Sequence, residues 1–137
     1  MAERDIEILR ASFDAFNRGD YDAALSGVSA DVEFEPPGDA PLPTAYQGHE
    51  GAKRFWGSMR DVFDEFRSEP DEIVDAGRGR YVVPVTERFR TKGSQPEIVE
   101  SNAIVFTMTD GKVVRVQIFT DRAKAFEAVG LSAPGQH

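Results

Sequence analysis

Glu35, Glu87, Asn102 and Asp121 are the residues through which this chain could bind and move a proton. Glu35 closes a short strand-like segment, Val32 to Glu35, and is followed by Pro36-Pro37-Gly38 and a proline-rich loop running to Gly48. A loop of that length in a compact domain is suited to act as a lid. A carboxylate drawn into apolar surroundings at such a rim has its pKa raised, which suits proton transfer near neutral pH. Glu87 shares one side of a long strand with Tyr81, Val83, Val85 and Phe89. Glu100 and Asn102 share a side of the next strand with Ile98, Ile104, Phe106 and Met108. Thr120 similarly ends a side made of Val114, Val116 and Ile118. Polar groups that interrupt an apolar face line a wet or ligand-filled cavity, or else lie where the strands run past their covering helices into solvent. The pattern leaves both open. Asp121 precedes a short helical stretch with Ala125, Phe126, Ala128 and Val129, closed by Gly130. It reads as an N-cap and equally as an acid at the rim of a sheet.

These residues depend on the elements that carry them. Ile6, Leu9, Phe13 and Phe16 recur at three- and four-residue steps and predict an N-terminal helix ending near Gly19. Asp20 predicts the cap of a second, short helix over Ala23, Ala24 and Leu25. Ala52, Phe55, Trp56, Met59, Val62, Phe63 and Phe66 form a bulky stripe that predicts one long helix, with Asp61, Asp64 and Glu65 on its solvent side. Strand-like segments follow at Ile73–Ala76, Tyr81–Arg90 and Glu97–Met108, and the last begins after Asp110-Gly111. That dipeptide is a strong hairpin signal, since a primed turn needs positive φ at both central residues. Helices first and a meander of strands after them predict an α+β fold, a curved sheet wrapped on the two main helices with its open end hollow.

The chain has 137 residues, which predicts a single domain spanning 1–137. Its formal charge of −8 argues against a nucleic-acid surface. No apolar run approaches a signal segment or a membrane span, so a cytoplasmic location is expected and no membrane partner. There is no cysteine, and one of the two histidines is the terminal His137, so neither a thiolate nor a histidine metal site is expected. Gly77-Arg78-Gly79 lacks the context of a phosphate loop.

The segments FDAFNRGDYDAAL (13–25), ADVEFEPP (30–37), YQGHEGAKRFW (46–56) and DGKVVRVQIFTDRAKAFEAVGL (110–131) resemble the SnoaL-like branch of the nuclear transport factor 2-like superfamily. The resemblance implies a cystatin-like cone of curved antiparallel sheet holding helices and a pocket, often dimerised through the outer sheet face. It also brings enzyme relatives into view. Ketosteroid isomerases are similar in an acidic base directly before a proline, here Glu35 before Pro36, but their oxyanion donors correspond to Ser12 and Ile104. Limonene epoxide hydrolases resemble this chain at Asp121 and Arg88, yet Arg90 stands where their second acid would fall. SnoaL-type cyclases are similar at Asp121, and their partner histidine finds no match in His49.

The expected function is binding of a small apolar or aromatic molecule in the cone. Acid/base catalysis would need neither metal nor cofactor. Glu35 would be the base and Asp121 a second acid. Tyr46, Glu87 and Asn102 would supply polar contacts, and Phe16 and Trp56 apolar walls. A homodimer is expected through an outer face bearing Val113, Arg115, Gln117 and Phe119. A non-catalytic ligand carrier or dimerisation module is the alternative.

Overall fold

The computed structural model of the chain describes residues 2–36, 46–93 and 96–131. Two helices open it, α1 (Ala2–Asn17) and the short α2 (Tyr21–Ala24). As expected, Asp20 caps α2, its side chain accepting from the Ala23 amide at 3.1 Å. Strands β1 (Val28–Glu35) and β2 (Tyr46–Gln47) then lead into α3 (Gly48–Val62). The remaining strands are β3 (Phe63–Pro70), β4 (Val74–Gly77), β5 (Arg80–Thr91), β6 (Ile98–Thr109) and β7 (Lys112–Phe119), and α4 (Arg122–Ala128) follows them. The strands form one sheet in the order β2-β1-β7-β6-β5-β3, with β4 also paired to β5. This is the α+β architecture expected, with one difference. The sheet is antiparallel except where β1 runs parallel to β7, a pairing that the long crossover between them permits.

The long helix is shorter than its apolar stripe predicts. It ends at Val62, and Phe63 and Phe66 belong to β3, which pairs antiparallel with β5. A bulge between Asp64 and Arg67, with Glu65 at φ 53°, adds a residue to β3. Two phenylalanines three apart therefore share one face of a strand, a spacing that in sequence looks helical. Asp64 and Glu65 consequently lie on an edge strand rather than on a helix.

A second bulge, opposite the Thr107–Met108 step of β6, adds Val114 to β7 and changes that strand's facing. Val113, assigned by simple alternation to the outer face, turns inward together with Val116 and Ile118. The Asp110-Gly111 turn is formed as expected, with φ of 52° and 75°. At the β4–β5 turn Gly79 (φ 75°) lies against β6, where an added Cβ would meet the Met108 carbonyl oxygen at 2.4 Å. No other residue fits there.

The sheet has a hydrophobic cluster on each side. Inside its curve, α1 and α3 contribute Leu9, Phe13, Ala52 and Phe55 to a core completed by Val83, Val85, Phe106 and Val116. Outside, α4 sets Ala125, Phe126 and Val129 on Val82, Ala103 and Val105, with Phe119 packed against the group. Tyr81 to Val85 of β5 are therefore buried on both faces. No helix among the described residues is long and apolar enough to cross a membrane.

Candidate functional site

Inside the curve the helices do not fill the sheet, and a cavity of about 290 Å³ remains. That volume lies at the lower end of the range for small-molecule sites. Phe34, Trp56, Phe66, Phe89, Ile104 and Ile118 are among the apolar side chains of its wall. Phe16 sits between Trp56 and Phe66, edge-on to both, with ring centroids at 5.2 and 6.2 Å.

Glu87 is the polar centre of this wall. Asn102 donates from Nδ2 to Glu87 Oε1 at 2.5 Å, and the Ser68 hydroxyl donates to Oε2 at 3.3 Å. Three strands bring the three residues together, since Ser68 is the register partner of Glu87 on one side and Glu100 is its partner on the other. Asn102, two residues beyond Glu100 on β6, lies diagonally across from Glu87. Ser68 and Asn102 are buried, at 4% and 8% exposure.

Asn17, the last residue of α1, fixes the edge of the site. Its side chain donates to the Ser68 carbonyl at 2.8 Å and accepts from the Ser68 amide at 2.9 Å. The amide thus stands in for a neighbouring strand at the exposed edge of β3. Ser68 therefore turns its backbone away from Glu87, the arrangement in which paired side chains approach most closely.

Burial pushes the Glu87 carboxyl above the ordinary glutamate range, and the charge of neighbouring Glu100 adds to the rise. Hydrogen bonds from Asn102 and Ser68 pull the other way without cancelling it. A carboxyl whose pKa is raised in an apolar cavity can act as base when ionised and as acid when protonated.

The expected site residues separate accordingly. Phe16, Trp56, Glu87 and Asn102 all line the cavity. Glu35 is not among the lining residues. Alternation along β1 turns Phe34 inward and Glu35 to the opposite face, where its carboxylate pairs with Arg115 Nε at 2.5 Å. Asp121 is exposed and caps α4, accepting from the Ala123 amide at 2.9 Å. Tyr46 is buried in the core, its ring 5.3 Å from that of Phe55, and does not reach the cavity. Neither residue expected to be catalytic from the sequence lies in the cavity wall, because each was chosen by chain position rather than by face. Most of the lid expected beyond Glu35, residues 37–45, lies outside the described residues.

Ser12 and Ile104, the counterparts of oxyanion donors in similar enzymes, do line the cavity. The Ser12 hydroxyl is engaged with the Ala24 carbonyl at 2.8 Å, and Ile104 has no donor. Arg88 stays outside, bonded to Glu69 at 3.0 Å. Ser68, Asn17 and Phe63 were not expected at the site, because the start of β3 looked helical and the Asn17–Ser68 pairing depends on that strand. Among the described residues no three His, Cys, Asp or Glu side chains stand close enough to hold a metal ion.

This cone of sheet and helices with an inner cavity is the nuclear transport factor 2-like fold. The model of the SnoaL-like domain matches residues 9–116, and the chain belongs to that family. It is 29% identical to TerC, solved co-crystallized with polyporic acid, with a TM-score of 0.77 over 92% of this chain and 98% of that one. A putative polyketide cyclase from Xanthomonas campestris pv. campestris is 22% identical, with a TM-score of 0.70 over 93% and 98%. A hypothetical protein of ketosteroid isomerase-like fold from Catenulispora acidiphila, in complex with trimethylamine, is 14% identical, with a TM-score of 0.72 over 96% and 98%. No curated protein matches the chain by sequence.

Proposed function

We propose that the chain binds a small, mainly apolar or aromatic molecule in the inner cavity and performs acid/base chemistry on it through Glu87. The observation that carries this reading is a carboxyl held above its ordinary pKa, hydrogen-bonded by an amide and a hydroxyl, inside an otherwise apolar wall. Asn102 orients the carboxyl, and Phe16 and Trp56 hold the flat face of the guest. The reaction class is isomerisation, cyclisation or hydration, each of which needs one proton taken and one returned. That TerC, at 29% identity, was co-crystallized with polyporic acid supports a reading in which the fold accepts organic guests. We place the protein in the cytoplasm as a homodimer. Because α4 and its cluster already cover Val82, Ala103 and Phe119, the second copy would meet the β1–β7 part of the outer face, around Arg115 and Gln117.

Carriage without chemistry is the second reading. It is favoured by the engaged Ser12 hydroxyl and by Ile104, which leave few donors to stabilise an oxyanion.

A thermal-shift screen of aromatic polyketides, terpenoids and steroids, followed by turnover assays on the hits, tests both. Ligand binding lost in Ile118→Trp, which fills the cavity, and turnover reduced about a hundredfold or more in Glu87→Gln are expected. Turnover unchanged by Glu87→Gln removes the catalytic role. Binding unchanged by Ile118→Trp removes the cavity.

A further inference from the structure

Among the described residues two acids line the cavity and no base does. Glu87 and Glu100 are the only ionisable wall residues among them, and they are direct partners across β5 and β6. Like charges so placed disfavour each other. The outer face is supplied differently. Glu35 has Arg115, Glu69 and Glu97 share Arg88, Glu65 has Arg90, and Asp71 has Arg122, all within 2.5–3.5 Å. Arg88 and Arg90 flank Phe89 on the very strand that carries Glu87, yet both turn outward. The Glu100 side chain makes no hydrogen bond or ion pair with a described residue. Of the stretches outside the described residues, 37–45 and 94–95 contain no lysine, arginine or histidine, and 132–137 contains His137 alone of these types.

Aromatic rings share this wall with the acids. The rings of Phe63 and Phe66 stand 4.5 and 5.5 Å from that of Phe89, which lies two residues along the same face of β5 from Glu87. Ring faces attract cations, and they do so more strongly where water is excluded. Carboxylates beside aromatic rings, with no arginine or lysine to neutralise them, are complementary to an organic ammonium group.

We infer that the cavity selects a small aromatic molecule bearing a protonated amine, with Glu100 pairing the ammonium and the Phe63, Phe66 and Phe89 rings enclosing it. This rests on the proposed small-molecule site and narrows its ligand to a charge class. It also divides the acids by role: Glu100 recognises charge, and Glu87, held by Asn102 and Ser68, remains free to exchange a proton.

Matched probes test it. Naphthylethylamine, naphthylethanol and naphthylacetate share one ring system and differ in charge. Calorimetry at neutral pH and low salt is expected to rank them amine, alcohol, carboxylate, with the amine about tenfold tighter than the alcohol. Glu100→Gln removes that preference and leaves the alcohol's affinity in place. Glu33→Gln, an equal charge change on the outer face, leaves the ranking intact. Equal binding of amine and alcohol, or tightest binding of the carboxylate, overturns the inference while the cavity reading stands. An amine preference that survives Glu100→Gln overturns the assignment of Glu100 and with it the inference. Failure of all three probes overturns both.

Discussion

Replacing Glu87 by glutamine should raise stability at neutral pH and leave it unchanged in acid. Glutamine has the shape of the protonated carboxyl: its oxygen can accept from Asn102 and its amide can donate to the Ser68 hydroxyl. It therefore mimics at every pH the form that Glu87 takes only at low pH. Burial, with help from Glu100, makes the folded chain hold the Glu87 proton more tightly than the unfolded chain does. As pH rises past the ordinary glutamate value, the unfolded chain releases its proton first, so stability falls until the folded group ionises too. Above that point the loss is complete. Two charges about 6 Å apart repel by about 3 kcal/mol at an effective dielectric of about 20 and by well under 1 kcal/mol in water. Desolvation of Glu87 is the largest cause of the rise, the hydrogen bonds from Asn102 and Ser68 offset part of it, and Glu100, being exposed, adds the smallest share. The expected gain at neutral pH is about 1–2 kcal/mol, a rise in Tm of roughly 4–8 °C for a domain of this size. Melting curves for both proteins across the acid-to-neutral range measure it. A difference that stays constant with pH, or a variant less stable at neutral pH, would refute the account of a carboxyl whose pKa burial raises.

Other consequences are as direct. Asp121→Ala should cost about 1 kcal/mol through loss of the α4 cap and leave ligand affinity alone, as urea denaturation and a binding assay would show. Gly79→Ala should cost about 2–3 kcal/mol, because the new Cβ meets the Met108 carbonyl and the backbone stays at positive φ; a urea midpoint close to that of the parent chain would contradict this. Tyr81 donates to Asp5 at 2.8 Å, and burial together with that bond pushes its phenol up to about 12. The folded chain keeps this proton while the unfolded one loses it near 10, so Tyr81 takes stability away as pH climbs from about 10 to about 12. Tyr81→Phe should flatten that alkaline decline, and ultraviolet difference titration should show one tyrosine fewer ionising late. Asn17→Ala should loosen Ser68 at the β3 edge and raise hydrogen-exchange rates there before elsewhere in the sheet.

Much of the scaffold was legible where one rule acted alone. The stripe of Leu9 and Phe13 marked α1, Asp20 marked its neighbour's cap, and Asp110-Gly111 marked the final hairpin. Glu87 and Asn102 stood out because polar side chains interrupted an apolar alternation, and the cavity is where that interruption leads. What stayed hidden involved a changed period. The bulge at Glu65 gave β3 a helical spacing, and the bulge opposite Met108 moved Val113 inward, so neither facing followed from counting by twos. Glu35 was misplaced for another reason. Its position beside a proline matched a known base, whereas the alternation of Val32 and Phe34 in the same strand already pointed its side chain away from the core.

The parallel seam between β1 and β7 has a kinetic meaning. These strands lie some eighty residues apart, Glu33 beside Arg115 and Phe34 beside Val116, so the contact closes one of the longest loops in the chain. Val113, Val116 and Phe34 all form part of the hollow's wall, which therefore cannot be finished before the last strand has been made and docked. A guest that fits this hollow would recognise only molecules whose two ends have found each other, and by mass action would hold them there.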